Sequence, residues 1–168
     1  CCNGACLTVT HFDAHCFTVD VMPETVRHTT IGLLKKGDPI NLEQTLKLGA
    51  GLDGHLVLGH VDGVGEVLAF DAIGDNRRLV IRAPAELARY IARKGSITVN
   101  GVSLTTNTVD GADFSINLIP HTLAATTLGA LQPGHRVNLE IDLIARYVER
   151  MLSADQAQTE ASEAHEAP

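Results

Sequence analysis

The feature that most constrains this chain is an internal duplication. Residues 3–43 align with residues 100–140 at a constant offset of 97 and without a gap, with 16 identities in 41 positions. Asn3-Gly4-Ala5-Cys6-Leu7-Thr8 pairs with Asn100-Gly101-Val102-Ser103-Leu104-Thr105. Thr29-Thr30-Ile31-Gly32 pairs with Thr126-Thr127-Leu128-Gly129, and Asn41-Leu42-Glu43 with Asn138-Leu139-Glu140. A fixed-period repeat of this kind means one structural unit used twice. Residues 59–97 form the front of the second copy, and their counterparts would fall before residue 1. The first copy is therefore expected to be incomplete, and an intact relative to carry about forty more residues at its front. The chain also opens on Cys1 in place of Met.

Within each copy the local pattern is that of short strands. Leu7–Thr10 and Cys16–Val21 are rich in β-branched residues and bounded by polar ones, as are Ser103–Val109 and Phe114–Ile119. Pro23 and Pro120 each open a short helical turn. Ile40–Gln44 and Arg136–Ile141 are further strands. Ahead of the second copy, His55–Phe70 is apolar with glycines at 59, 63 and 65, the pattern of a long bent strand pair. Arg78–Ala83 alternates, Pro84–Ile91 is a short helix, and Ser96–Val99 is a strand leading to the Asn100-Gly101 turn. About six short strands and a small helix per full copy suggest closed barrels.

Residues 142–153 differ. Leu143, Ile144, Tyr147, Val148, Met151 and Leu152 recur at helical spacing, which predicts an amphipathic helix after the last strand. Residues 154–168 are Ala, Glu, Gln, Ser and Thr without periodicity, and are expected to form a disordered acidic tail. The expected architecture is all-β, two tandem six-stranded antiparallel β-barrels with the first incomplete, plus a C-terminal α-helix. Residues 1–45 form the second half of the first barrel, 46–54 a linker, and 55–141 the complete second barrel.

Charge excludes some functions. The net charge is −7, and the last fifteen residues hold Asp155, Glu160, Glu163 and Glu166 with no Lys or Arg, leaving −3 for the remainder. A nucleic-acid binder would show a basic face. No apolar run approaches the ~18 residues that cross a bilayer. Cysteines stand at 1, 2, 6 and 16 only. Disulfide scaffolds spread their cysteines along the chain, so free thiols and a cytoplasmic setting are the expectation. No second Cys or His pair follows at finger spacing, and no metal site is expected.

The matched polar positions carry what chemistry the repeat reveals. Cys6 and Thr8 share one strand face, as do Ser103 and Thr105; Asp20 and Asn117 end the next strand, and Thr25 and Thr122 open the turn after it. Hydroxyls and amides kept in register suggest two similar hydrogen-bonding sites. Asn-Gly turns and Thr caps also recur for purely structural reasons, and that explanation stands beside the first. His55 and His60 lie five apart, on opposite faces of an extended strand, and are poor partners for one metal. Histidine is nevertheless the side chain best suited to moving protons near neutral pH.

Taken in order, Asn-Gly-Ala-Cys-Leu-Thr-Val-Thr from residue 3, Met-Pro-Glu-Thr from residue 22, Gly-His-x-x-x-Gly-His-Val-Asp from residue 54, Asn-Gly-Val-Ser-Leu-Thr from residue 100 and Ile-Pro-His-Thr-Leu from residue 119 resemble the riboflavin synthase alpha-chain family. The resemblance covers residues 3 to about 152. It implies two lumazine-binding barrels and a helix that assembles a homotrimer. It implies dismutation of two 6,7-dimethyl-8-ribityllumazine molecules to riboflavin and 5-amino-6-ribitylamino-uracil, without metal or organic cofactor. The site would lie between the first barrel of one subunit and the second barrel of a neighbour. Lumazine synthase is implied as a further partner. By resemblance Cys6, Thr8, Asp20, Met22 and Thr25 line one pocket, and Ser103, Thr105, Ile119 and Thr122 the other, with Lys94, His60 and Asn100 nearby. Ser103, His60, Asp142 and Cys6 are the candidate catalytic groups. The chain departs from the family pattern at Asp53 and Leu58, where Gly and a small hydroxyl residue are usual. A half barrel leaves strand edges unpaired, so the chain alone is expected to self-associate and to turn over poorly. A lumazine- or flavin-binding antenna protein, which binds without turnover, is the alternative on the same fold.

Overall fold

The computed structural model describes residues 1–52 and 54–166, with side chains through Ala154. The second copy forms a closed antiparallel barrel of six strands, order β3-β4-β7-β6-β5-β8. Its strands are β3 (Gly63–Ile73), β4 (Asn76–Arg82), β5 (Ser96–Val99), β6 (Val102–Asp110), β7 (Asp113–Leu118) and β8 (Arg136–Ile141). Inward positions on these strands supply a core that includes Val67, Leu79, Ile97, Phe114, Ile116 and Leu139, each no more than 1% exposed. Closure leaves no strand edge open.

The first copy supplies β1 (Val9–Phe12) and β2 (Phe17–Val19), which pair with each other, and helix α1 (Pro23–His28). They match β6, β7 and helix α2 (Pro120–Ala125). Even the irregularities repeat: the β1–β2 register slips between Val9 and His11, and the β6–β7 register between Thr106 and Thr108. At core positions of the second copy, however, the first exposes the matching side chain in places. Phe114 is 1% exposed and its counterpart Phe17 40%; Leu139 is 0% and Leu42 58%. The residues match, but the first copy has no strands equivalent to β3–β5 to cover them. For the same reason the strand expected at Ile40–Gln44 is only a single bridge, Leu42 to Cys2.

Two other expectations change. The long strand pair expected from His55 begins only at Gly63. Residues 55–62 are irregular, and Gly59 turns the chain at φ +77. The backbone N–H groups of Leu58, Gly59 and His60 donate to the buried carboxylate of Glu140 at 2.8, 2.9 and 3.1 Å, in place of a ladder. The segment after Pro84 is a 3-10 turn, Ala85–Tyr90, not an α-helix.

Helix α3 is Leu143–Glu166. The helix runs on through Glu166, over most of the segment 154–168 expected as a disordered acidic tail, and residues 167–168 lie outside the described residues. Asp142 caps the helix, its Oδ1 accepting from Ile144 N at 3.0 Å. Arg146 holds the helix on the barrel through a bidentate pair with Asp62, at 2.6 and 2.8 Å, and donates to His60 O at 3.1 Å. The Glu149 carboxylate near Tyr90 raises its phenol above the usual range. Ile144, Tyr147 and Met151 face outward, 66–69% exposed. No described helix is long and apolar enough to cross a membrane.

Candidate functional site: two matched faces joined at a seam

The two copies meet at their Asn-Gly turns. Both turn residues take positive φ in each copy: Asn3 +45 and Gly4 +80, Asn100 +47 and Gly101 +83. Such a two-residue turn favours this dipeptide. The glycines lie back to back; a Cβ built on Gly4 would sit 2.7 Å from Gly101 N, and one on Gly101 2.8 Å from Gly4 N. No other residue fits at either position.

Around this contact the asparagines exchange hydrogen bonds between copies. Within each copy the turn asparagine accepts from a later one: Asn41 N donates to Asn3 Oδ1 and Asn138 N to Asn100 Oδ1, both at 2.8 Å. The later side chains then cross. Asn41 Nδ2 donates to Asn100 O at 2.9 Å, and its Oδ1 accepts from Thr127 N at 2.8 Å. Asn138 Nδ2 donates to Asn3 O at 2.8 Å, and its Oδ1 accepts from Thr30 N at 2.7 Å. These four crossed bonds form a pseudo-twofold seam. The purely structural explanation therefore accounts for the matched Asn-Gly pairs. It accounts as well for Thr29 and Thr126, whose hydroxyls bond Thr25 O and Thr122 O, each at 2.7 Å. Asn100, a candidate pocket residue, is buried here with its side-chain oxygen committed to the seam.

The seam does not account for the outward residues beside it. Cys6 and Ser103 each follow a turn glycine by two positions, and both hairpins carry them away from the barrel interior. Cys6, Thr8, Asp20 and Thr105 are exposed, and Ser103, Thr25 and Thr122 half-buried. Met22 and Ile119 offer matched apolar surface, 69% and 55% exposed. Each copy thus exposes, at matched positions, a hydroxyl or thiol, a polar strand end and an apolar side chain, with a half-buried threonine after them. That set suits a flat polar ring carrying a hydroxylated chain.

On the second face Ser103 has a partner that sequence periodicity misses. His55 Nδ1 lies 2.7 Å from Ser103 Oγ, and His55 Nε2 lies 3.2 Å from Thr98 Oγ1. Ser103 and Thr98 are opposite one another across β5 and β6, so both reach the same ring. The structure brings His55, not His60, to Ser103. His60 is exposed, held at its backbone by Glu140 and Arg146. Lys94 is exposed at φ +65 beyond the start of β5, its backbone N–H bonded to Thr106 O at 2.8 Å. Asp142 stands at the helix cap. Leu58 is fixed by Glu140, and Asp53 lies outside the described residues. Among the described residues no group of three metal-ligating side chains occurs.

An open cavity of about 440 Å³ lies elsewhere, against the first copy, lined by residues including Phe17, Val19, Val21, Ile31, Leu34 and Ile40. Their counterparts 97 positions on are Phe114, Ile116, Leu118, Leu128, Leu131 and Val137, all buried core of the closed barrel. The cavity is uncovered barrel interior, not a ligand site.

Comparison with known proteins agrees with this geometry. The lumazine binding domain family matches residues 1–45 and 58–142, one match on each copy. The chain is 43% identical over 150 residues to the riboflavin synthase of Actinobacillus pleuropneumoniae, covering 89% of this chain and 70% of that one. It is 46% identical over 155 residues to that of Brucella abortus (strain 2308), covering 89% and 77%. Among solved structures, LumP complexed with riboflavin aligns at TM-score 0.77 and 28% identity, over 83% of this chain and 76% of that one. LumP complexed with 6,7-dimethyl-8-(1'-D-ribityl) lumazine aligns at 0.74 and 27%, over 83% and 74%. With both copies matched and relatives of this identity covering most of its length, the chain belongs to the riboflavin synthase family of lumazine-binding proteins.

Proposed function

We propose that this chain provides the lumazine-binding faces of a riboflavin synthase, a transferase that moves a four-carbon unit between two molecules of 6,7-dimethyl-8-ribityllumazine. The carrying observation is that both copies retain a matched outward set, Cys6, Thr8, Met22 and Thr25 against Ser103, Thr105, Ile119 and Thr122. A reaction between two identical substrates needs two similar pockets brought face to face. Holding both rings in reacting geometry supplies up to about 7–11 kcal/mol of the barrier. The chemistry further needs a proton taken from the 7-methyl group of one lumazine and a nucleophile added to the other. In this reading Ser103 passes that proton to or from the His55 imidazole, which is the acid–base group, while Thr98 Oγ1 fixes the ring through its other nitrogen. His60, whose carbonyl accepts from Arg146, and Asp142, at the helix cap, remain candidates, and Cys6 is the counterpart of Ser103 on the first face.

In this reading the two faces of one chain, joined at the seam, serve different sites, and a complete site takes one face from each of two subunits. The exposed apolar stripe of α3, Ile144, Tyr147 and Met151, supports assembly as a homotrimer. A cytoplasmic enzyme working without a cofactor, receiving its substrate from lumazine synthase, completes the reading. The alternative, an antenna protein that binds lumazine or flavin without turnover, draws on the LumP structural likeness. Consumption of lumazine and appearance of riboflavin, in a chain whose first barrel is completed, separates the two. Two lumazines lost per riboflavin formed supports the synthase; fluorescent lumazine bound and unchanged supports the antenna.

A further inference from the structure

We propose that Cys1 and Cys6 form a reversible disulfide across the Asn3–Gly4 hairpin, a modification site on the first lumazine-binding face. Cys2 and Ala5 exchange both backbone hydrogen bonds, each at 2.9 Å. In an antiparallel ladder the next pair outward, Cys1 with Cys6, is then a non-hydrogen-bonded pair, where the strands approach closest, about 4.5 Å between Cα atoms. The backbone bonds agree. Cys6 N donates to Gly59 O at 2.7 Å, and Cys1 O accepts from Glu43 N at 3.1 Å, so neither bonds the other. That separation falls at the short end of the ~4.4–6.8 Å that a disulfide spans.

The side chains also share a face. Thr98 and Ser103, the counterparts of Cys1 and Cys6, are directly paired and converge on the two nitrogens of His55. In the first copy both cysteines close on Gly59: a Cβ built there would lie 2.5 Å from Cys1 Sγ and 3.0 Å from Cys6 Cβ. The Cys1 thiol and the Cys6 β-carbon are thus no further apart than those two distances together. The duplication has replaced two facing hydroxyls by two facing thiols. Cys2 alternates to the opposite face and is buried, which pushes its thiol up and disfavours the reactive thiolate. Cys16 sits in the β1–β2 turn, its S–H on Asp13 Oδ2 at 3.3 Å.

The oxidant is a small-molecule disulfide of the glutathione class. One protein thiolate attacks it, forming a mixed disulfide and releasing one small thiol. The second protein thiolate then attacks the protein sulfur of that mixed disulfide, forming the Cys1–Cys6 bond and releasing the second small thiol. Two protein S–H bonds are lost, and their protons and two electrons leave with the two released thiols. Placement at the short end of the span makes the bond readily reduced. Where the proposed function holds, oxidation removes the Cys6 S–H from the first pocket.

The reduced full chain is incubated with excess oxidised glutathione, alkylated, cleaved before aspartate and weighed. The peptide Cys1–Phe12 separates these three cysteines from Cys16. The expected result is that peptide alkylated only at Cys2 and lighter by two hydrogens, restored to three alkylations by dithiothreitol. Cys1→Ser should abolish the link and leave Cys6 as a mixed disulfide with glutathione, whereas Cys2→Ala should keep it. Separate glutathione adducts on Cys1 and Cys6 in the unaltered chain, or a link to Cys16 or to a second chain, would overturn the proposal. The readout involves no lumazine, so its failure is distinct from failure of the functional reading.

Discussion

Replacing Asn138 by Ala removes the more buried half of the crossed seam. The side chain is 1% exposed and makes two bonds to the other copy, to Thr30 N at 2.7 Å and Asn3 O at 2.8 Å. Both partner residues are themselves buried, 7% and 5% exposed, so water cannot readily replace the lost amide. A buried donor or acceptor left without a partner costs about 1–3 kcal/mol. One of each gives a loss of about 2–6 kcal/mol for Asn138→Ala. The symmetry-related Asn41→Ala leaves one partner on a buried residue, Asn100, and one on a half-buried residue, Thr127, and should cost somewhat less, about 1–3 kcal/mol. With a urea slope of about 2 kcal/mol/M, the midpoint followed by far-UV circular dichroism falls by about 1–3 M for Asn138→Ala and by about 0.5–1.5 M for Asn41→Ala. Asn138→Asp keeps the acceptor for Thr30 but sets an oxygen against Asn3 O, and should be as harmful at neutral pH as Ala. Equal midpoints for Asn138→Ala and the unaltered chain would show that the seam bonds do not hold the copies together.

Other consequences follow from single contacts. Gly101→Ala forces a Cβ to 2.8 Å from Gly4 N at φ +83 and should cost more than about 1 kcal/mol, read as a lowered unfolding temperature. His55→Ala removes the partner of Ser103 and should lower riboflavin formation by about 10²-fold or more if the imidazole moves the proton; His60→Ala should cost clearly less in the same assay. Glu140→Gln leaves one side-chain oxygen for three N–H donors and should destabilise by about 2–4 kcal/mol, with faster amide exchange at Leu58, Gly59 and His60. Arg82 holds the Asp113 carboxyl below its usual range, so the stability this pair adds is present above the ordinary carboxylate pKa near 3.8. It is lost as pH falls through the lower folded value, and Asp113→Asn should flatten that part of an acid-unfolding curve.

Much of this architecture is legible in the residues because the repeat is gapless. β8 and β5 follow their β-branched runs to the residue, and the prolines at 23 and 120 open helices where their fixed φ suits the first turn. What stays hidden depends on contacts distant in sequence. Residues 55–62 carry the apolar pattern of a strand, yet Glu140, about eighty positions later, captures their N–H groups and lets Gly59 turn the chain. Assigning His55 by strand faces therefore discards the group that reaches Ser103. The Asn-Gly turns are visible as turns, but a single-copy view cannot show that Asn41 and Asn138 cross between copies. Matched asparagines at both ends of the repeat were the available signal. Burial in the first copy is likewise beyond local pattern: Phe17 and Phe114 sit in equivalent strands, and only the surrounding strands decide which one is covered.

The proposed function puts lumazine on the outward residues beside the seam and not in the open cavity of the first copy. Amide chemical shifts of the isotope-labelled chain, recorded while 6,7-dimethyl-8-ribityllumazine is added, test it directly. Saturable shifts are expected at Ser103, Thr105, Thr122 and His55, with the weaker matching set at Cys6, Thr8 and Thr25. Shifts confined to Phe17, Val19, Ile31 and Ile40, with the outer faces unmoved, would contradict it.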